Sequence, residues 1–112
     1  PRYPTRALEA GLTGSCVSHF TLSPAGAVLA PATTCIVGEA TKPEWRAYGT
    51  AVFEAAARSA ITRYMFAPED SATWQGQRFA VRTKFLLADA PIPDDPPVPI
   101  DVVEIAPSRP KS

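Results

Sequence analysis

Cys16 and Cys35 are the only cysteines in this 112-residue chain, and His19 is its only histidine. Two thiols and one imidazole are too few for a structural zinc site. The thiols can instead be joined to each other. Ser15 to Leu22 alternates, with Cys16, Ser18, Phe20 and Leu22 on one side and Val17, His19 and Thr21 on the other, which is strand periodicity. SPAG at 23–26 is turn chemistry, and Ala27 to Ile36 reads as a second strand, so the pair forms a hairpin. A two-residue loop at Ala25 and Gly26 pairs positions whose numbers add to 51, which sets Cys16 opposite Cys35 on one face. A bulge near Pro31 would shift that register.

The competing reading is two buried free thiols, as in many reduced cores. A matched pair is useful only in an oxidising compartment, where closing a loop of about 20 residues stabilises a fold by roughly 3 kcal/mol. The expectation is therefore a Cys16–Cys35 staple in an exported domain.

No other constellation suggests catalysis. His19 lies on the strand face opposite Phe20 and reads as a partly exposed sheet residue. Glu69 and Asp70 sit together in a loop with no base or metal partner. Gly-rich phosphate loops, nucleophile elbows and metal-spaced clusters are absent. Trp45 and Trp74 read as core residues before partner anchors. The sequence thus predicts no enzyme, no cofactor and no metal.

The elements that hold these residues follow from pattern. TRALEAG at 5–11 predicts a short helix ended by Gly11. Thr41 and Glu44 have capping-box spacing around Pro43, predicting a helical turn to Tyr48 that is interrupted at Gly49. A longer helix is predicted from Thr50 to Met65, with an apolar stripe of Val52, Phe53, Ala56, Ala57, Ala60, Ile61 and Tyr64. After a turn at MFAPEDSATWQGQ, the run RFAVRTKFLL alternates cleanly: Phe79, Val81, Thr83, Phe85 and Leu87 inward, Arg78, Ala80, Arg82, Lys84 and Leu86 outward.

Net charge is zero, which gives no reason to expect nucleic acid or an anionic membrane as partner. The balance conceals a division: residues 1–88 carry +3 and residues 89–112 carry −3. Seven of the 13 prolines follow Asp89, so 89–99 reads as an extended linker, and IDVVEI at 100–105 as a short strand if something pairs with it. Two regions are expected, a body at 1–88 and a Pro-rich acidic tail at 89–112. The chain has no signal peptide and no apolar run of about 20 residues, and it opens on PRYP, which reads as a fragment trimmed from a longer parent.

The resulting fold class is α+β: a short N-terminal helix, a β-hairpin, and an α-helix packed on one face of a three-stranded antiparallel sheet. Such a sheet has two open edges, each with unpaired amides and carbonyls. Pro31 favours an edge position for the second strand. Placing the last strand beside the first leaves its outer side free. Arg78, Phe79, Ala80, Val81, Arg82, Thr83, Lys84, Phe85 and Leu86 then form a candidate peptide-binding edge, with a basic row flanking any strand added there. The plainer alternative is that those charges keep the edge soluble.

These residues resemble the C-terminal domain of TonB-family energy transducers. The family's P-x-Y-P opening and helix Ala match Pro1, Tyr3, Pro4 and Ala7. Gly14 and Phe20, then Gly26 and Val28, match the hairpin, and an Ala-rich helix is followed by Tyr64, Phe66 and Pro68 and a last strand with Phe85. The match covers 1–87. The cysteine positions and the turn at Trp45–Gly49 depart from the pattern, and the tail lies outside it. The resemblance implies a periplasmic domain of a parent anchored in the inner membrane and worked by the proton-driven ExbB–ExbD motor. It implies capture of the TonB box of an outer-membrane transporter, added as a strand beside the last strand, for uptake of siderophores or similar cargo. The alternative is a TonB-like envelope adaptor or oligomerisation domain without energy transduction, its edge covered by its own tail or by a second copy in a homodimer.

Overall fold

The computed structural model describes residues 3–38, 41–63, 76–87 and 92–105. Among these residues six elements follow in chain order: α1 (Thr5–Glu9), β1 (Gly14–Leu22), β2 (Val28–Val37), α2 (Pro43–Ile61), β3 (Phe79–Phe85) and β4 (Val103–Glu104). The class is α+β, with one main helix packed on a sheet. The sheet has four strands in the order β2-β1-β3-β4, where three antiparallel strands were expected. The addition is β4, which comes from the Pro-rich tail and runs parallel to β3, making the sheet mixed.

The hairpin reaches the expected cysteine register by an unexpected route. Its loop closes through Gly26 N to Ser23 O (2.9 Å) and Ser23 N to Ala27 O (2.9 Å), with Gly26 at φ 87°. That is a three-residue turn ending in a left-handed glycine, and it pairs Leu22 with Val28 and Thr21 with Leu29, one short of the predicted register. Ala30 (φ 48°) and Pro31 then stand as two residues against the single Phe20, a bulge that adds the missing residue. From His19↔Ala32 to Gly14↔Val37 the ladder runs as predicted.

The main helix also differs from its sequence pattern. It is continuous from Pro43 to Ile61, with Gly49 in its interior rather than at a break. A Cβ on Gly49 would meet Val37 Cγ1 at 3.1 Å and Leu12 Cδ1 at 3.5 Å, so the glycine admits close approach to the sheet. The capping box does not form: the N-cap is Lys42, no side chain caps it, and Pro43 occupies the first turn, where its missing amide costs nothing. The helix ends at Ile61, short of the predicted Met65, which lies outside the described residues together with Tyr64, Phe66, Pro68, Glu69, Asp70 and Trp74.

One face of the sheet meets α2. Cys16, Cys35, Val37 and Phe85 pack with Phe53 and Ala57 of the helix and with Ala7 and Leu12. Phe53 and Phe85 stack at 4.5 Å between centroids, and Tyr3 sets its ring edge-on to both. Burial pushes the Tyr3 phenol pKa up, which suits a hydroxyl that stays protonated and donates to Leu12 O. Trp45 is half-buried and meets Tyr48 edge-on at 5.6 Å.

The opposite face carries the main departure from the predicted layout. It holds Val17 and Ala80, both fully buried, under Val102 and Val98 of the tail. The segment at 92–99 has no regular secondary structure and is packed down: Pro93 and Pro96 are buried. The outward row of β3 is thus partly covered, because Ala80 among longer basic neighbours leaves a recess that valines fill.

Candidate strand-addition site along the third strand

The nine residues of the candidate edge are brought together as one extended segment: Phe79–Phe85 form β3, Arg78 precedes it and Leu86 follows it. Their inner side is fully paired with β1, from Gly14↔Phe85 to Phe20↔Phe79. Their outer side, expected to be bare, is occupied at its start. Val103 N donates to Arg78 O (3.0 Å) and Ile105 N to Ala80 O (2.9 Å), with Phe79↔Val103 and Ala80↔Glu104 as partners. Backbone groups at the beginning of β3 were free to accept a strand, and the chain's own tail supplies one. β4 covers two residues of the strand; the pairing with β4 does not extend to Val81–Phe85.

The basic row is engaged as well. Arg82 donates from Nε to Glu104 and from Nη1 to Pro96 O (3.1 Å), with Asp95 Oδ2 at 3.6 Å. Lys84 Nζ lies 3.5 Å from the same Asp95 oxygen. Ser15, fully buried on β1, donates its hydroxyl to Asp95 Oδ1. One carboxylate therefore takes a hydroxyl and two cations. The Ser15 bond, then the charges of Lys84 and Arg82, hold its pKa below the usual carboxylate range against the opposing effect of desolvation.

At the entry to β3, Gln77 Nε2 donates to Asp101 O at 3.2 Å, and Arg78 Nη2 lies 3.3 Å from His19 Nδ1. Desolvation and the Arg78 charge lower the His19 pKa from its ordinary value, while Asp101 pulls it back up. His19 is half-buried on the sheet, near the turn that delivers β4.

Cys16 and Cys35 form the disulfide the register predicts, with Cα atoms 4.1 Å apart, the spacing of a narrow antiparallel pair. It crosses β1 and β2, leaving β3 outside the covalent loop. Among the described residues, no group of three His, Cys, Asp or Glu side chains converges to hold a metal, and no helix is long and apolar enough to cross a membrane.

Sequence reasoning missed Ser15, Asp95, Glu104 and the two tail valines as parts of this site. The signals were present in the opposite charges of body and tail and in the lone alanine of the basic row. In comparisons with known proteins, no family model, curated protein or solved structure matches this chain.

Proposed function

We propose that this chain is a periplasmic strand-capturing domain of the TonB type. Its β3 edge takes an extended segment of an outer-membrane transporter, the TonB box, by main-chain pairing. Its parent, anchored in the inner membrane, passes on the work of the ExbB–ExbD motor. The observation that carries this reading is the pairing of β4 with β3: the outer side of Arg78–Ala80 accepts an added strand, here the chain's own. The disulfide fits an oxidising compartment such as the periplasm. The resemblance in residues 1–87 supplies the identity of the partner.

A second reading is favoured by the same contact. Where the tail stays on β3, the domain is an envelope adaptor or oligomerisation unit whose edge is capped, and energy transduction is not its work.

Titration of the full chain with a TonB-box peptide, followed by amide NMR shifts, separates the two. Transducer function requires shifts along Arg78–Leu86 together with release of the Val103 amide. Shifts confined to the Trp45 region, or an undisturbed Val103 amide at saturating peptide, overturn it and leave the adaptor.

A further inference from the structure

The geometry points to a carboxylate-binding cradle on the sheet face away from α2, formed by Ser15, Arg82 and Lys84, whose ligand class is an acidic segment of a partner protein that turns back into a strand. This inference rests on the strand-capture reading and adds the side-chain chemistry that selects what is captured. Main-chain pairing is blind to sequence, so selection has to come from groups beside the ladder.

Three observations build the cradle. Ser15 is completely buried, and its hydroxyl is aimed at the tail carboxylate rather than at its own sheet. Lys84 and Arg82 approach the other oxygen of that carboxylate from β3, at 3.5 and 3.6 Å. Arg82 also turns its Nε to a second carboxylate, Glu104, which lies within the paired strand itself. The occupant is thus read at two points, one on the face and one at the edge, nine residues apart in a segment that a turn at Pro99–Val102 folds back, so that both carboxylates reach the one guanidinium. The charges complement each other: the row that receives is basic, and the segment that lies on it comes from the tail at 89–112, which carries −3.

In this arrangement residues 92–105 are a resident ligand tethered to their own receptor. Tethering gives the tail a high effective concentration, on the order of millimolar for a short connection. A partner must match both carboxylates and offer a strand to displace it. Neutral or basic strands meet an unpaired Arg82 and Lys84 and lose the exchange.

The test uses the full chain carrying Asp95→Asn, Val103→Pro and Glu104→Gln, which loosens the tail and leaves every cradle residue intact. Amide protection in α2 serves as the control for folding. Two probes are titrated in: a synthetic peptide of residues 92–105, and the same peptide with Asn and Gln in place of its matching Asp and Glu. The native peptide is expected to bind the variant at least about ten-fold more tightly than the neutralised one, as charge-assisted hydrogen bonds predict. It should shift Ser15, Arg82 and Lys84, and weaken as NaCl rises from about 50 to 500 mM. Equal binding of both peptides, with shifts along β3, overturns the cradle and leaves strand capture standing. No β3 shift with either peptide removes both. Full protection of the Ile105 amide in the variant also overturns the cradle, because the tail would then be held without its carboxylates.

Discussion

Val103 donates its backbone amide to the carbonyl of Arg78 at 3.0 Å, a contact between residues 25 positions apart that brings the tail back to the sheet. Proline lacks that donor. Val103→Pro is expected to release β4, abolish hydrogen-exchange protection at Ile105 and lower stability by about 1 kcal/mol. Protection within β1 and α2 should be unchanged, since neither depends on the tail for its backbone hydrogen bonds.

Removing the disulfide acts on the unfolded chain more than on the folded one. Cys16→Ser with Cys35→Ser is expected to cost about 2–4 kcal/mol, read as a lower urea midpoint. Reductant should bring the unaltered protein to a similar midpoint. Mass measurement with and without reductant checks the bond directly.

Gly14 faces Phe53 so closely that an added Cβ would lie 2.6 Å from Cδ2 and 2.9 Å from Cε2 of the ring. Phe53 is fully buried and stacked on Phe85, so the ring has little room to withdraw. Gly14→Ala is expected to destabilise by about 1–3 kcal/mol through overpacking. Gly76→Ala differs in kind: among the described residues no atom outside its chain neighbours lies within 4 Å of an added Cβ, and its cost comes from a backbone at φ 80°.

Acid should lower stability in two stages, of which only the second loosens the tail. His19 has a lowered pKa in the folded protein, so the unfolded chain takes up a proton first and stability starts to fall as pH drops through 6.5. Asp95 also has a lowered pKa, so its contribution is intact above the ordinary carboxylate value and disappears only as pH falls through its own lower one. NMR signals of Ser15 and Lys84 are expected to hold steady from neutral pH to about 5 and to move below about 4. Asp95→Asn should remove that low-pH step and leave the one near 6.5.

How much of this was legible in sequence depended on the range of the interaction. Alternation in β1 and β3 announced both strands, and turn chemistry at Ser23–Gly26 announced the hairpin, because each is a local matter of backbone preference and side-chain period. The Cys16–Cys35 pairing came out correctly through two compensating departures. The loop is one residue longer than expected, and the Ala30–Pro31 bulge makes up the difference. Gly49 misled because a glycine's role as a breaker or as a point of close contact is decided by Val37 and Leu12, far away in the chain. The capping box at Thr41 yielded to Pro43, whose ring fixes the first turn without help from a side chain. Proline-rich composition argued against helix in the tail, and 92–99 has no regular secondary structure. It carried no hint that a serine on β1 and an alanine on β3 would make a bed for it, since Ser15 and Asp95 are 80 positions apart.

The kink at Ala30 and Pro31 lies on β2, the strand at the far rim of the sheet. Proline contributes no donor there and the bulge bends the ladder, so that rim is a poor template for zipping onto a neighbour. A sheet with one receptive rim and one blunted rim is monovalent: it can accept a guest, but it has no matching surface with which to pass the chain reaction along. Open-ended stacking of copies is thereby discouraged at the rim that the tail does not guard.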